Sequence, residues 1–374
     1  MGEIHIKIKK ILGTLFFLLL AVVLVSCSKK TFEVVFYDWD NTVLDRQKVK
    51  EGSVATAPKN PTREGYMFVA WCSDEGLTTS IDISKMPNAN LTVYAKWAQM
   101  YEYFTIDNMT YVYYGTYPQT VVDDSSLISS LNSLTSTNAN GYYEFEGEEY
   151  AKVVAHPGET GYAFINGSTI QSGQTYYFKV EPIKWRVLEE ADGTYTLLSE
   201  YIIDKQVFYA SRDNRTIGGK PIYANNYEHS TIREWLNNDF YNKAFSSPEK
   251  GSILTTLVDN SASTTASSTN PYFSNNTMDK VYLLSYQEAI SSTYGFSTDY
   301  FPSSTRTAVT TDYARAVGAY MNTSTSSYGN GYWWLRSPYG YDSRNAFLVY
   351  GDGRMLSDYV SSAYIGVRPA IKIG

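Results

Sequence analysis

The feature that most constrains the fold is an N-terminal apolar segment that ends at Cys27. A lysine-rich start, the apolar run 11–25 and a small serine precede this cysteine. That order is typical of an export signal, and the run is shorter than the roughly 20 residues that a membrane-spanning helix needs. The remainder of the chain is therefore expected to fold outside the cytoplasm.

The tetrad LVSC at residues 24–27 resembles the lipobox of bacterial lipoproteins. The resemblance implies cleavage before Cys27 and thioether lipidation of that residue, so that residues 1–26 are the signal peptide and 27–30 the lipidated N-terminus. Two or more acyl chains on one residue give stable anchoring. The expected protein is exported, anchored by its lipid to a bacterial membrane, and faces outside the cytoplasm. The alternatives are an uncleaved membrane anchor and an ordinary signal with a chance cysteine.

Cysteine usage also limits how the fold can be stabilised. The chain has two cysteines, Cys27 and Cys72. If Cys27 carries lipid, an intramolecular disulfide cannot form, and stability must come from burial of apolar side chains. Cys72 is then expected to be a small buried side chain rather than a reactive group.

Composition indicates a binding surface and excludes one class of partner. The 374-residue chain has a net charge of −7 and contains 35 tyrosines. No basic cluster follows the signal region, so a nucleic acid partner is not expected. Tyrosine supplies large amphipathic contact area and is frequent in binding surfaces, although it is also frequent in half-buried strands. A monomer is expected.

Residues 31–97 are predicted to form a small β-rich module. Aromatic and β-branched runs at 32–37 and 91–97 alternate as strands do, and turn residues separate them. The segments FYDWDNTVL, APKNPTREGYMFVAW and NLTVYAKW resemble the Listeria–Bacteroides repeat, a β-grasp-like module of bacterial surface proteins. The resemblance implies a spacer or adhesion module without chemistry of its own. Residues 98–110 are predicted to be a connector.

The large domain, residues 111–374, is predicted to be α+β. Capping-box spacings at 231–234 and 285–288 and the pattern of 312–321 predict short helices, and the polar stretch 123–141 predicts a surface loop. The blocks PIKWRVLEE, YWWLRSPY and GVRPAIKI resemble an uncharacterised bacterial domain, and the last two also resemble C-type-lectin-like domains of the sulfatase-modifying-factor type. The expected fold class is α+β, with a small β-grasp-like module followed by a larger C-type-lectin-like domain.

The segment between the last two blocks is the candidate binding site. Its YWWLRSPY start and its run of Tyr, Ser, Asp and Asn around a Gly-Asp-Gly turn resemble receptors that retroelements diversify. The resemblance implies ligand contacts on one exposed face, and plain ligand binding without diversification is the alternative. The candidate ligand-binding residues are Tyr339, Tyr341, Asp342, Ser343, Arg344, Asn345, Asp358, Tyr359, Ser361 and Tyr364.

Enzymatic chemistry is less well supported by the sequence. The large domain has no cysteine, and only His156 and His229 follow the signal region, so neither a cysteine pair nor a histidine cluster is available. Carboxylates are the remaining candidates, because paired carboxylates can hydrolyse glycosides and can hold Ca²⁺. They are Asp123, Asp124, Glu144, Glu146, Glu148 and Glu149. We expect these to be solvated, and no catalytic residue, metal site or cofactor is predicted.

The predicted C-terminal strands carry two tryptophans and two arginines. Trp333 and Trp334 are adjacent, so a strand would direct them to opposite faces. One is expected in the core, and the alternatives for the other are a core position, which is favoured, and a stacking platform for a sugar. Arg336 and Arg368 are expected to tie the terminal strands together through backbone carbonyls or a carboxylate.

The function predicted from the sequence as a whole is that of a surface-anchored lipoprotein that binds a protein or glycan ligand. The alternatives are an extracellular polysaccharide hydrolase and a structural envelope protein.

Overall fold

The computed structural model of the chain describes residues 30–63, 66–83 and 89–374. It separates into two compact units, Met1–Ala98 and Gln99–Gly374. Strands account for 37% of the residues and helices for 12%, which confirms an α+β class that leans towards β. The predicted signal peptide and Cys27 lie outside the described residues.

The N-terminal unit is a four-stranded mixed sheet. Its strands are β1 (Thr31–Tyr37), β2 (Val43–Lys50), β3 (Met67–Cys72) and β4 (Leu91–Ala98). The order is β2-β1-β4-β3, and β1 and β4 run parallel while the outer pairs are antiparallel. Alternate side chains of the central strands fill one core, where the rings of Phe36 and Trp71 meet edge to face at 5.1 Å. Cys72 is fully buried, as predicted.

The C-terminal unit contains seventeen strands among the residues that the structure describes. In chain order they are β5 (Phe104–Ile106), β6 (Met109–Val121), β7 (Tyr143–Phe145), β8 (Glu148–Val154), β9 (Thr175–Ala191), β10 (Thr194–Ser199), β11 (Asp204–Lys205), β12 (Arg215–Ile217), β13 (Lys220–Ile222), β14 (Thr256–Val258), β15 (Thr277–Asp279), β16 (Val281–Tyr282), β17 (Trp333–Pro338), β18 (Asn345–Val349), β19 (Met355–Tyr359), β20 (Gly366–Val367) and β21 (Ala370–Ile373).

Two sheets carry most of this unit. The eight-stranded sheet has the path β16-β21-β10-β9-β6-β5, and β8 joins β9 and pairs with β7. The five-stranded sheet has the order β11-β20-β17-β18-β19. The two small pairs are β12 with β13 and β14 with β15. The segment 98–110, predicted as a connector, differs from that expectation because β5 and the start of β6 pair as a hairpin within the first sheet.

Helices are few and short. They are α1 (Ser125–Ser133), α2 (Thr231–Trp235), a π-helical turn (Leu236–Phe240), α3 (Tyr241–Ala244), α4 (Ser247–Ser252), 3₁₀ turns at Ala262–Thr264 and Glu288–Ile290, and α5 (Asp312–Val317). Ser230 rather than Thr231 caps α2, because its hydroxyl accepts from the N–H of Arg233. No helix in the described ranges is long and apolar enough to cross a bilayer.

Strand β17 is buried along its whole length, which corrects one alternative raised by the sequence. Both Trp333 and Trp334 have no exposed surface. Their indole N–H groups donate to the carbonyl oxygens of Arg306 at 3.1 Å and Gln206 at 2.9 Å. Because protein covers both faces of this strand, neither tryptophan can serve as an exposed platform for a ligand.

The two predicted arginine anchors are confirmed. Arg336, 3% exposed, makes a two-pronged ion pair with Glu288, with 2.9 Å between its Nη2 and the carboxylate Oε1, and also donates to the carbonyl of Leu283. Arg368, 2% exposed, donates from Nε to the carbonyl of Ser199 at 2.7 Å. These contacts join the last strands to the body of the unit.

Candidate functional site

Part of the predicted binding set, residues 339–345 and Tyr359, is brought together by the hairpin of β17 and β18 and its neighbour β19. Residues 339–344 connect these strands, and in the neighbouring pair Asn345 lies opposite Tyr359. The connecting loop and the end of β19 are therefore at the same end of the sheet. We call the surface formed by residues 339–345, Tyr359 and Arg212 the hairpin face.

A buried asparagine holds the loop of the hairpin face. Asn225 has no exposed surface, and its backbone N–H donates to the carbonyl of Ser343 at 2.9 Å. Its side-chain Nδ2 lies 2.9 Å from the carbonyl oxygen of Asn345 and 3.2 Å from that of Asp342. The carbonyl oxygen of Tyr339 is 3.4 Å from the same nitrogen. These bonds hold the backbone of the loop against the body of the unit.

The hairpin face combines charged and aromatic side chains. Arg344 makes a two-pronged contact with Asp342, with 2.8 Å between Nη2 and Oδ2 and 3.0 Å between Nε and Oδ1. Hydrogen bonds from Arg344 hold the pKa of Asp342 below its usual range. The guanidinium carbon of Arg212 is 3.7 Å from the ring centre of Tyr359, and its Nε donates to the hydroxyl of Ser361 at 2.9 Å.

The outermost group of the face is Tyr341. Its exposed fraction is 88%, the largest of any large apolar or aromatic side chain in the described part of the chain. Its ring is 5.4 Å from that of Tyr339, which in turn lies 5.4 Å from Phe347. Tyr339 is half-buried, so it connects the exposed ring to the core. The ring of Tyr341 is therefore available for contact with a ligand and packs against the half-buried ring of Tyr339.

The structure does not place Asp358 and Tyr364 on this face. Asp358 pairs with Ala346, one position from the Asn345–Tyr359 pair, so its side chain points to the opposite side of the sheet. There it accepts a hydrogen bond from the hydroxyl of Tyr364. The predicted set is therefore divided between two sides of the five-stranded sheet.

A stack of tyrosines that the sequence did not indicate lies on that other side. The rings of Tyr320 and Tyr332 are 3.9 Å apart, and those of Tyr332 and Tyr350 are 4.2 Å apart. Tyr364 approaches Tyr320 at 6.5 Å. All but Tyr364 are half-buried. Position 320 is too far along the chain for any local pattern to relate it to the strands at 332 and 350.

The four glutamates considered for catalysis lie on a separate hairpin, whereas Asp123 and Asp124 precede helix α1, which Asp124 caps. Glu144 is opposite Glu149 in the β7–β8 pair, and the chain reverses at Glu146 and Gly147 with positive φ angles of 51° and 83°. Burial, and then the charge of Glu144, raise the pKa of Glu149, whereas a hydrogen bond from Asn138 lowers it. Across residues 30–63, 66–83 and 89–374, no three His, Cys, Asp or Glu side chains come close enough to hold a metal ion.

The two histidines among the described residues both make backbone hydrogen bonds. The backbone N–H of His156 donates to the carbonyl of Ala316 at 2.7 Å. His229 stands just before the cap of α2, and its backbone N–H donates to Oδ1 of Asn226 at 3.0 Å. Its ring nitrogen Nε2 is 3.8 Å from the carboxylate of Glu228.

Two domain families account for much of the chain. Residues 32–96 match the Listeria–Bacteroides repeat domain. This confirms the resemblance seen in the sequence. Residues 192–374 match a domain of unknown function, DUF6273. The hairpin face, the buried asparagine that supports it and the whole five-stranded sheet lie inside this second match, while strands β5 to β9 precede it.

Proposed function

We propose that the protein is an exported lipoprotein, anchored through lipid on Cys27, that binds a protein or glycan ligand through the hairpin face. The Listeria–Bacteroides repeat is the spacer between the membrane and the binding unit, and the C-terminal unit has a C-type-lectin-like fold. The observation that carries the proposal is an 88% exposed Tyr341 on a loop whose backbone Asn225 fixes.

The physical support lies in what such a surface can contribute to binding. Tyrosine and arginine are the residues most often found as interface anchors, and truncating an anchor typically costs about 2 kcal/mol or more. An ordered tyrosine also has few rotatable bonds to immobilise on binding. Tyr341, Arg344 and Tyr359 combine these properties, because ion-pair and cation–π contacts already restrain the last two.

The proposal can be tested by screening purified full-length protein on glycan and protein arrays. The test variant is Tyr341→Ala with Tyr359→Ala, and the matched control is Tyr300→Ala with Tyr328→Ala, two tyrosines exposed by 51% and 52% elsewhere in the unit. We expect the test variant to lose at least about thirty-fold in affinity for any hit, corresponding to about 2 kcal/mol. Equal binding by the test and control variants would remove the hairpin face as the site.

A polysaccharide hydrolase is the second candidate function, and one observation favours it. Glu144 and Glu149 are direct cross-strand neighbours, and the raised pKa of Glu149 is the property that a general acid requires. Cross-strand neighbours have Cβ atoms about 5 Å apart, so two glutamate carboxyl groups that extend from them can reach the same bond of a bound sugar, as the retaining mechanism requires. Glu149→Gln would abolish sugar release from extracellular polysaccharide if this function is correct, whereas the variant of Tyr341 and Tyr359 would affect only binding.

A further inference from the structure

A cavity of about 350 Å³ lies within the C-terminal unit, away from the residues of the hairpin face. Its walls include the apolar side chains Met109 and Val309, the hydroxyl residues Thr305 and Thr307, and two buried arginines, Arg186 and Arg368. The wall combines apolar side chains with converging polar and charged groups, as small-molecule sites do, and it is polar enough to suit a polar ligand. The volume is at the lower end of the roughly 300–1,000 Å³ range of such sites, which indicates a small ligand.

Arg368 is the most unusual group in the wall. It is 2% exposed, and its guanidinium carbon is 5.2 Å from the centre of the Trp333 ring. Nε donates to the carbonyl of Ser199, and Nη2 is 3.6 Å from the carboxylate of Glu200, longer than a hydrogen bond. Its Nη1 atom has no hydrogen-bond partner among the described residues. A buried cation with an unused donor is costly unless an acceptor completes its surroundings.

The second arginine increases the positive charge of the cavity. Arg186 is 8% exposed, and its Nη2 donates to the carbonyl of Tyr294 at 2.7 Å, a neutral partner. The charged side chains of the wall are thus Arg186, Arg368 and Glu200, two cations against one anion. Burial is the main cause that lowers the pKa of Arg368 to about 10; Glu200 opposes that shift and Arg186 adds to it. The wall therefore carries one uncompensated positive charge.

We propose that this cavity binds a small hydroxylated monocarboxylate, with its carboxylate beside Arg368 and Arg186. A single negative charge on the ligand would balance the one uncompensated positive charge of the wall. A carboxylate carries that charge and supplies the acceptor oxygens that a guanidinium prefers. Thr307 donates to the carbonyl of Ser304, and Asn330 Nδ2 to that of Gly351. The hydroxyl oxygen of Thr307 and Oδ1 of Asn330 remain as acceptors for the hydroxyls of a polyhydroxylated carbon chain. The site is independent of the hairpin face, so either proposal can fail without the other.

The test is calorimetric titration of the purified full-length protein with glucuronate, and with glucose as the neutral probe of matched shape. We expect saturable binding of glucuronate at least tenfold tighter than that of glucose. Inorganic phosphate is the third probe and is expected to bind more weakly than glucuronate. Glucuronate binding no tighter than that of glucose would overturn the proposal, and phosphate binding tighter than that of glucuronate would overturn the carboxylate assignment.

Two variants locate the site, and one of them predicts a gain. Glu200→Gln removes the competing carboxylate of the wall, so glucuronate affinity should rise about tenfold, an effect that misfolding cannot produce. Thr307→Trp places an indole in the cavity and should abolish binding without changing the melting temperature by more than a few degrees. Unchanged or weaker affinity in Glu200→Gln, or full binding by a folded Thr307→Trp protein, would overturn the assignment; if Thr307→Trp does not fold, Glu200→Gln alone decides.

Discussion

Removing the side-chain amide of Asn225 should release the loop of the hairpin face. In Asn225→Ala the carbonyl oxygens of Tyr339, Asp342 and Asn345 lose the donor that they share. The Nδ2 group has two hydrogens, and each hydrogen bond contributes about 1 kcal/mol net. The contact to Tyr339 is long at 3.4 Å and shares one of those hydrogens, so the loss should be about 2 kcal/mol. The free energy of unfolding should fall by that amount, and the loop should become mobile.

The control is the neighbouring asparagine. Asn226 is 6% exposed, and its side chain accepts one hydrogen bond, from the N–H of His229. Asn226→Ala should therefore cost only about 1 kcal/mol and leave the loop ordered. Urea unfolding measures the stability difference, and amide hydrogen exchange of residues 339–345 measures loop order. Equal stability losses in the two variants, or unchanged exchange in Asn225→Ala, would refute the role given to Asn225.

The remaining predictions concern the anchor, the unit boundary and a buried acid. Cys27→Ala should lose metabolic labelling with a fatty-acid analogue, and equal labelling of the variant would contradict lipidation. Residues 99–374 expressed alone should unfold cooperatively, because the two units have separate cores; a non-cooperative melt would contradict this. Burial raises the pKa of Asp204 from 3.8 to about 6, so the folded protein binds the proton of this carboxyl more tightly than the unfolded chain does. The stability that this difference contributes is present at low pH and is lost as the pH rises from about 4 to about 6. Relative to Asp204→Asn, the wild type should therefore lose about 3 kcal/mol between pH 3 and pH 7 in urea titrations; parallel pH profiles would rule this out.

Local sequence patterns could predict those strands and modules whose characteristic residues lie close together in the chain. The repeat was predicted over 31–97 from short motifs and matches over 32–96, and the apolar run 332–335 predicted the strand that the structure has at Trp333–Pro338. Helix α1 was missed, because the serines of 123–141 indicate a loop. Asp124 nevertheless starts that helix by accepting from the N–H groups of Ser126 and Leu127.

Contacts between distant segments could not be predicted in this way. Arg212 reaches Tyr359 and Ser361 across about 150 residues of chain, and Asn225 reaches the loop across more than 110. Burial of both Trp333 and Trp334 likewise depends on which segments cover each side of the sheet. Composition predicted an exposed position for the tyrosine-rich candidate segment, and Tyr341 is exposed. Composition cannot predict strand register, which turns the side chain of Asp358 to the opposite side of the sheet from Tyr359.

The most direct test of the central claim is amide hydrogen exchange of the full-length protein with and without a ligand identified on the arrays. Binding at the hairpin face predicts slower exchange at residues 339–345 and around Tyr359, with little change at Glu144–Glu149 or around Tyr332. Tyr341→Ala with Tyr359→Ala should abolish that protection at the same ligand concentration. Protection confined to another part of the C-terminal unit, with residues 339–345 exchanging at the free rate, would contradict ligand binding at this face.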